Sequence, residues 1–246
     1  EGKGLISGGD AVYALLGEVP WPLGEWQHLV GTYDGTTLRL YRNGEPDSIK
    51  VVELETGNTF PYFVVGVDST WHTDPSASGF AQPGTKIDEV KVYDYALSDS
   101  QVQLLYEVGT EGPIPVDVCS AAGVYASFET GTGCPLAYWD METLDASGHL
   151  EDHIAGNNLE LIGEPLGGVA GISGGAYEVS ADGQHFVSKA PFSDALAGSN
   201  PKSLSVWAWV TESCNGLPFG RGCSLAGFGT AFDGENYESI FGSTFN

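Results

Sequence analysis

The sequence predicts an all-β fold, an antiparallel sandwich of two sheets with one short helix, and three observations carry that prediction. Thirty-five Gly and 13 Pro punctuate the 246 residues too often for long helices, while a hydrophobic content of 41% supplies a core. Two runs of near-alternating apolar residues, His28 to Tyr33 and Thr37 to Arg42, flank Asp34-Gly35. An Asp-Gly pair between such runs is the strongest short-range hairpin signal. Ile87 to Tyr93 then alternates apolar and polar side chains as a half-buried strand does.

Asn43-Gly44 supplies the turn after the first hairpin, and Lys50 to Leu54 and Tyr62 to Val67 continue a meander. Leu97-Ser98-Asp99-Ser100 opens the one helix, with Ser98 or Asp99 as cap; Val102, Leu105, Tyr106 and Val108 share a side, and the helix ends near Gly109. Residues 109 to 135 mix Gly, Pro and two cysteines and read as a linker or a small disulfide-tied insert. Further strands follow near Leu136 to Trp139, Leu159 to Ile162, Gly175 to Val179, His185 to Ser188 and Leu204 to Val210, with Trp207 and Trp209 on one face of the last.

Thirty-three acidic residues against nine basic ones give a formal charge of −24, which repels polyphosphates and anionic bilayers and argues against a nucleic-acid partner. The same carboxylate excess makes a hard cation such as Ca²⁺ a natural ligand, the alternative being a solvated acidic surface. The four cysteines fall as two local pairs, Cys119 with Cys134 and Cys214 with Cys223, without the CxxC spacing of a zinc ribbon or redox motif. Two short disulfide loops in an oxidising compartment are the economical reading, and free buried thiols are the alternative. No apolar run approaches the ~18 residues of a membrane span, so no membrane insertion is expected. With Met141 the only methionine and no signal peptide in view, the chain reads as a processed or excerpted piece.

The segment GEWQHLVGTYDGTTLRLYRNGE, followed by KIDEVKVYDYALSDSQVQLLYE, resembles the second half of a laminin-G-like, concanavalin A-like jelly-roll domain. AYWDMET, EDHIAGNNLELIG, GISGGAYEVSADGQHFVS and SLSVWAWV are similar to the opening strands of the same family. The resemblance implies a two-sheet jelly roll acting as a non-catalytic extracellular module, secreted or on the cell surface, in a structural or adhesive role. The alternative it offers is a carbohydrate-binding domain of a secreted enzyme or surface protein.

The order departs from the family: residues 1 to 108 look like the end of such a domain and residues 136 to 246 like its beginning, on either side of the 109 to 135 linker. Neither half alone closes two sheets around a core, so each needs a complement. Three arrangements supply one: a circular permutant, pairing with the half of a neighbouring copy, or a window cut from tandem repeats. Asn246 is therefore expected near Glu1 of its own chain or of a neighbour. Copies joined head to tail would form a ring or filament, with copies of itself or other extracellular proteins, and glycans, as the partners.

Gly171 to Gly175 satisfies G-x-S-x-G around Ser173, but the strand after it departs from the strand, turn and helix that a hydrolase nucleophile needs. Asp88 and Glu89 are neighbours on one strand, so regular alternation sends them to opposite faces and they are not an acid and base pair. The resemblance instead gives Asp88 a share in a structural Ca²⁺ site with Asp152 and Asn157 of an early polar loop; turn capping is the alternative use of these side chains. A zinc site at His149 and His153 is a weaker option, and His28 is expected to be packed or hydrogen-bonded. Among the aromatics, Trp71 is the candidate ligand contact, while Trp26, Trp139, Trp207 and Trp209 are expected in the sandwich interior.

Overall fold

Asp34-Gly35 turns the chain as its residue types require. Gly35 takes φ 100°, and Asp34 Oδ1 accepts the N–H groups of Thr36 and Thr37, closing the hairpin between β3 (Trp26–Tyr33) and β4 (Thr37–Arg42). Asn43 and Gly44, with φ of 51° and 83°, make the two-residue turn into β5 (Glu45–Val51). This strand starts earlier than the Lys50 to Leu54 expectation. Pro46 and Asp47 are tolerated there because β5 is the edge of its sheet, where a missing donor and a charge cost little.

In this computed structural model the described residues are 2–7, 15–51, 62–66, 81, 83–109, 134–181, 183–192, 196, 199–211, 223–229 and 239–245. The remaining strands are β1 (Gly2–Ser7), β2 (Leu15–Trp21), β6 (Tyr62–Val65), β7 (Thr85–Tyr93), β8 (Ala137–Trp139), β9 (Leu159–Ile162), β10 (Leu166–Ala170), β11 (Gly175–Val179), β12 (His185–Ser188), β13 (Lys202–Trp209), β14 (Cys223–Gly229) and β15 (Ser239–Phe245). One sheet runs β2-β1-β15-β14-β6-β12-β9, the other β10-β11-β7-β13-β3-β4-β5 with β8 paired to β7, and every pairing is antiparallel.

Strands from the two ends of the chain are interleaved in both sheets. β13 lies between β7 and β3 along its whole length, β6 lies between β14 and β12, and β1 pairs with β15, Gly4 opposite Phe245. Glu1 and Asn246 lie outside the described residues. Between the sheets, Leu29, Leu38, Leu40, Phe63, Val90 and Val92 pack in one cluster with Trp139, Leu159, Phe186, Leu204 and Val206. Burial of this kind contributes about 1.5 to 3 kcal/mol per large side chain. A polypeptide ending after β7 would leave those side chains facing water.

Helix α1 (Asp99–Gly109) covers the outer face of the β13/β3/β4 sheet. Ser98 and Gln101 cap it reciprocally: the Ser98 hydroxyl accepts the Gln101 N–H at 3.4 Å, and Gln101 Oε1 accepts the Ser98 N–H at 2.8 Å. Val102 and Leu105 are buried against Val30, Tyr41, Tyr93 and Leu97, as the spacing predicts. Gly109 ends the helix where a Cβ would lie 2.7 Å from the Trp207 indole nitrogen, so only glycine fits.

The tryptophans divide differently from the expectation. Trp139 is fully buried between the sheets, but Trp207 is buried on the outer face, stacked on His28 at 4.9 Å and on Tyr106 at 5.5 Å. Trp26 and Trp209, paired in register next to it, are half-buried and meet edge to face at 6.1 Å. The alternation of β13 explains this: Leu204, Val206 and Ala208 take the inter-sheet positions, leaving odd-numbered residues to the other face.

Candidate functional site

The two acids of β7 do not follow simple alternation. Ser205 pairs with Lys91 and Trp207 with Asp88, so β7 carries one extra residue between these pairs, and Glu89 takes φ 51°, a left-handed conformation rare for a residue with a side chain. This bulge turns Glu89 outward beside Lys91. Asp88, opposite the outward Trp207, lies on the same side. The expectation of opposite faces is thus corrected: β7 is irregular at Glu89.

Both carboxyls are fully buried and committed. Asp88 Oδ2 accepts the Ile172 and Ser173 N–H groups at 2.9 and 3.3 Å, and Oδ1 accepts that of Glu89 at 2.9 Å. Burial, with the Glu89 charge second, pushes the Asp88 carboxyl up to about 8 against these three donors. Glu89 forms an ion pair with Lys91 and accepts the Tyr138 hydroxyl at 2.9 and 3.0 Å, while the Lys91 ammonium lies 4.5 Å from the Tyr138 ring centre. His28 completes the patch. Burial first, and Lys91 second, lower it to about 3, so it stays neutral, with Nε2 2.8 Å from the Ser205 hydroxyl.

The polar loop behind β8 is organised by aspartates. Asp152 Oδ1 accepts N–H groups of Tyr138 and Ile154, and Oδ2 those of Ala155 and Asn157, at 3.0 to 3.2 Å. Asn157 bonds both polar groups of Ala190, at 3.0 and 2.9 Å. The four lone-pair directions of Asp152 and the amide of Asn157 are therefore spent on the backbone, and Asp88 faces three N–H groups, so its oxygens are engaged as well. Among the described residues no group of three or more His, Cys, Asp or Glu is placed to hold a metal ion. A chelator is expected to leave the melting temperature unchanged in metal-stripped buffer; a drop of several degrees would assign these oxygens to an ion.

His149 and His153 face separate carboxylates, Asp145 at 3.2 Å and Asp140 at 2.9 Å, rather than one shared centre. Burial pushes the Asp140 carboxyl up, but hydrogen bonds from His153, Thr143 and Glu142 outweigh it and hold it well below its usual range. Ser173 is 3% exposed on a turn closed by Gly171 N–H to Gly174 O at 3.1 Å, and β11 follows at once, without a helix to present a nucleophile. Trp71, Cys119 and Cys214 lie outside the described residues; Cys223 sits in β14 opposite Phe245, and Cys134 is half-buried just ahead of β8. Both proposed pairings thus involve a residue outside the described ones.

What sequence reading missed is a groove of about 530 Å³ on the outer face, between β4 and the start of α1, lined by Arg39, Tyr41, Leu97, Ser98, Asp99 and Ser100. Arg39 Nη1 is held by Asp34 at 2.6 Å, and the Tyr41 hydroxyl donates to Asp99 Oδ1 at 2.7 Å, ordering both walls. The odd-numbered outward positions of β4 were readable; their meeting with residues nearly sixty positions later was not.

Residues 4–103 match the family model described as the concanavalin A-like lectin/glucanases superfamily, of laminin-G type; no curated protein and no solved structure matches the chain. Among the described residues no helix is long and apolar enough to cross a membrane. The two antiparallel sheets with one helix are consistent with a sandwich fold of this superfamily, to which residues 4–103 are similar.

Proposed function

We propose that the chain is a non-catalytic extracellular module with a structural or adhesive role, in which residues 1 to 108 and 136 to 246 complete one sandwich within a single chain as a circular permutant. The observation that carries the first part is the state of Asp88 and Glu89. A glycosidase needs two carboxyls ~5 to 10 Å apart across a cleft that sugar and water reach. These two are fully buried and tied to backbone N–H groups, a lysine and a tyrosine. The second part is supported by β13, which fills the place between β7 and β3. Exchange of halves between copies is then unnecessary to close the core, and larger assemblies would form through outer surfaces.

Small-angle scattering with light scattering tests this reading. A monomer with a radius of gyration of about 18 Å is expected for a compact chain of this length in dilute solution. An obligate dimer, or an expanded monomer with two separated bodies, would overturn closure within one chain. Carbohydrate binding is a second reading, favoured by the open polar groove between β4 and α1.

A further inference from the structure

We infer that copies of this chain join edge to edge, β5 of one against β10 of the next, so that one sheet continues from copy to copy; the inference rests on the structural reading and gives it an interface and a partner. The sheet β10-β11-β7-β13-β3-β4-β5 ends in these two strands, and among the described strands β5 pairs only with β4 and β10 only with β11. A strand open on one side is a template for another strand, and proteins that stay single blunt such edges with charge or proline. Pro46 and Asp47 do so for the first half of β5, but Ser48 to Val51 carries neither proline nor acid, and β10, LGGVA, carries no charge and no proline at all. In a chain with thirty-three acidic residues against nine basic ones, these are places where two copies touch without apposing like charges.

The side chains of the two edges match as well. Ile49 stands opposite Arg39 and Val51 opposite Thr37, which puts both on the outer face, 64% and 79% exposed. On β10, Leu166 stands opposite Glu178 and Val169 opposite Ala176, which flank the inter-sheet Tyr177 and so share the outer face. Leu166 is 52% exposed and Val169 half-buried. The register shift between Gly167 and Val169 is what brings Val169 to the face of Leu166. Each edge therefore shows two apolar side chains, one strand repeat apart, on the same face of the same sheet. Laid antiparallel, Ile49 and Val51 of one copy meet Val169 and Leu166 of the next as two cross-strand apolar pairs. That contact takes three of the five exposed large hydrophobics among the described residues, Ile49, Val51 and Leu166, out of water.

Because the two edges lie at opposite ends of one sheet, the contact is heterologous and repeats, giving a filament or a ring rather than a closed pair. It is also weak. A strand pair ~17 Å long falls short of the ~1,200 Å² at which stable interfaces begin, so the dissociation constant is expected on the order of 0.1 to 1 mM, and dilute chains stay single.

The test is sedimentation velocity of the purified chain from ~10 µM to ~1 mM. Val51→Glu in β5 and Leu166→Glu in β10 are compared with Leu144→Glu, which adds the same charge at an exposed leucine outside both edges, each checked for an unchanged melting temperature. The weight-average mass of wild type is expected to rise at least twofold over this range, with the dissociation constant raised tenfold or more by either edge variant and unmoved by Leu144→Glu. Added salt is expected to strengthen the association, because it screens the repulsion between chains of charge −24. An equimolar mixture of the two edge variants is expected to give dimers and little beyond them, each chain using its one intact edge. Wild type that stays monomeric to ~1 mM would overturn the inference while leaving closure within one chain intact. Assembly that an edge variant leaves unchanged, that Leu144→Glu weakens equally, or that salt dissolves would move the contact to another surface. A mixture no different from the variants alone would overturn the pairing of β5 with β10.

Discussion

Replacing Asp88 by Ala is expected to lower the unfolding free energy by about 2 kcal/mol or more, because two buried N–H groups and a part-buried one lose their acceptor and each buried orphaned donor costs about 1 to 3 kcal/mol. The change also loosens the junction of β7 with the 171 to 175 turn. A Cβ at Gly171 would run into Asp88 Oδ2, so the turn is shaped around that carboxyl. Asp88→Asn keeps the volume but points an amide at a donor, and is expected to fall between wild type and Ala.

The pH dependence separates this role from simple packing. The folded carboxyl is raised from 3.8 to about 8, so between those values the native chain holds a proton that the unfolded chain has released. Its contribution is complete below about pH 4 and lost as the pH climbs to 8, with a limiting slope of about 1.4 kcal/mol per pH unit. Urea titrations of wild type and Asp88→Asn at pH 5 and pH 8 read this directly. The advantage of wild type should be larger at pH 5; equal differences at both values would show that Asp88 does not titrate across that window.

The legibility of the fold follows from where the periodicity is strong. β3, β4, β7 and β13 carry long alternating or apolar runs, and α1 carries a cap with a 3.6-residue spacing, so all five were readable in position and type. β10, the sequence LGGVA, is a solvent-exposed edge with two adjacent glycines and a register shift, and offers no alternation to read. β1 and β15 are short strands at opposite ends of the chain, and their pairing is a long-range fact that no local pattern encodes. At the site, Asp88 was singled out as a Ca²⁺ ligand by resemblance; its burial and its bonds to Ile172 and Ser173, more than eighty residues away, were not legible. The bulge at Glu89 was hidden for another reason: left-handed backbone is usually announced by Gly or Asn, and here a glutamate is held in it by Lys91 and Tyr138. Lys202 was missed similarly. It opens β13 fully buried, with its ammonium 5.5 Å from the Tyr33 ring centre, and burial pushes it down to about 7, although lysine is ordinarily a surface residue.

Trp139→Ala is expected to lower stability by about 3 to 5 kcal/mol, the range for deleting a large buried aromatic. The indole stacks on Phe63 at 5.1 Å with the rings 6° from parallel, meets Phe192 edge to face at 6.2 Å, and donates to the Asn157 carbonyl at 3.1 Å. Where the loss registers matters more than its size. Phe63 belongs to β6, from the first half of the chain, and Phe192 follows β12, from the second, so the cavity opens between strands from opposite ends of the polypeptide. A common core transmits the destabilisation to both ends, and native-state hydrogen exchange distinguishes this from local damage. Amides of β3 and β4 should lose protection by the same free energy as those of β9 and β12, within a single cooperative transition. Protection lost only in β8, β9 and β12, or two separated transitions on denaturant titration, would mean that the two segments unfold as independent units and that β13 is a guest between β7 and β3 rather than part of the same core.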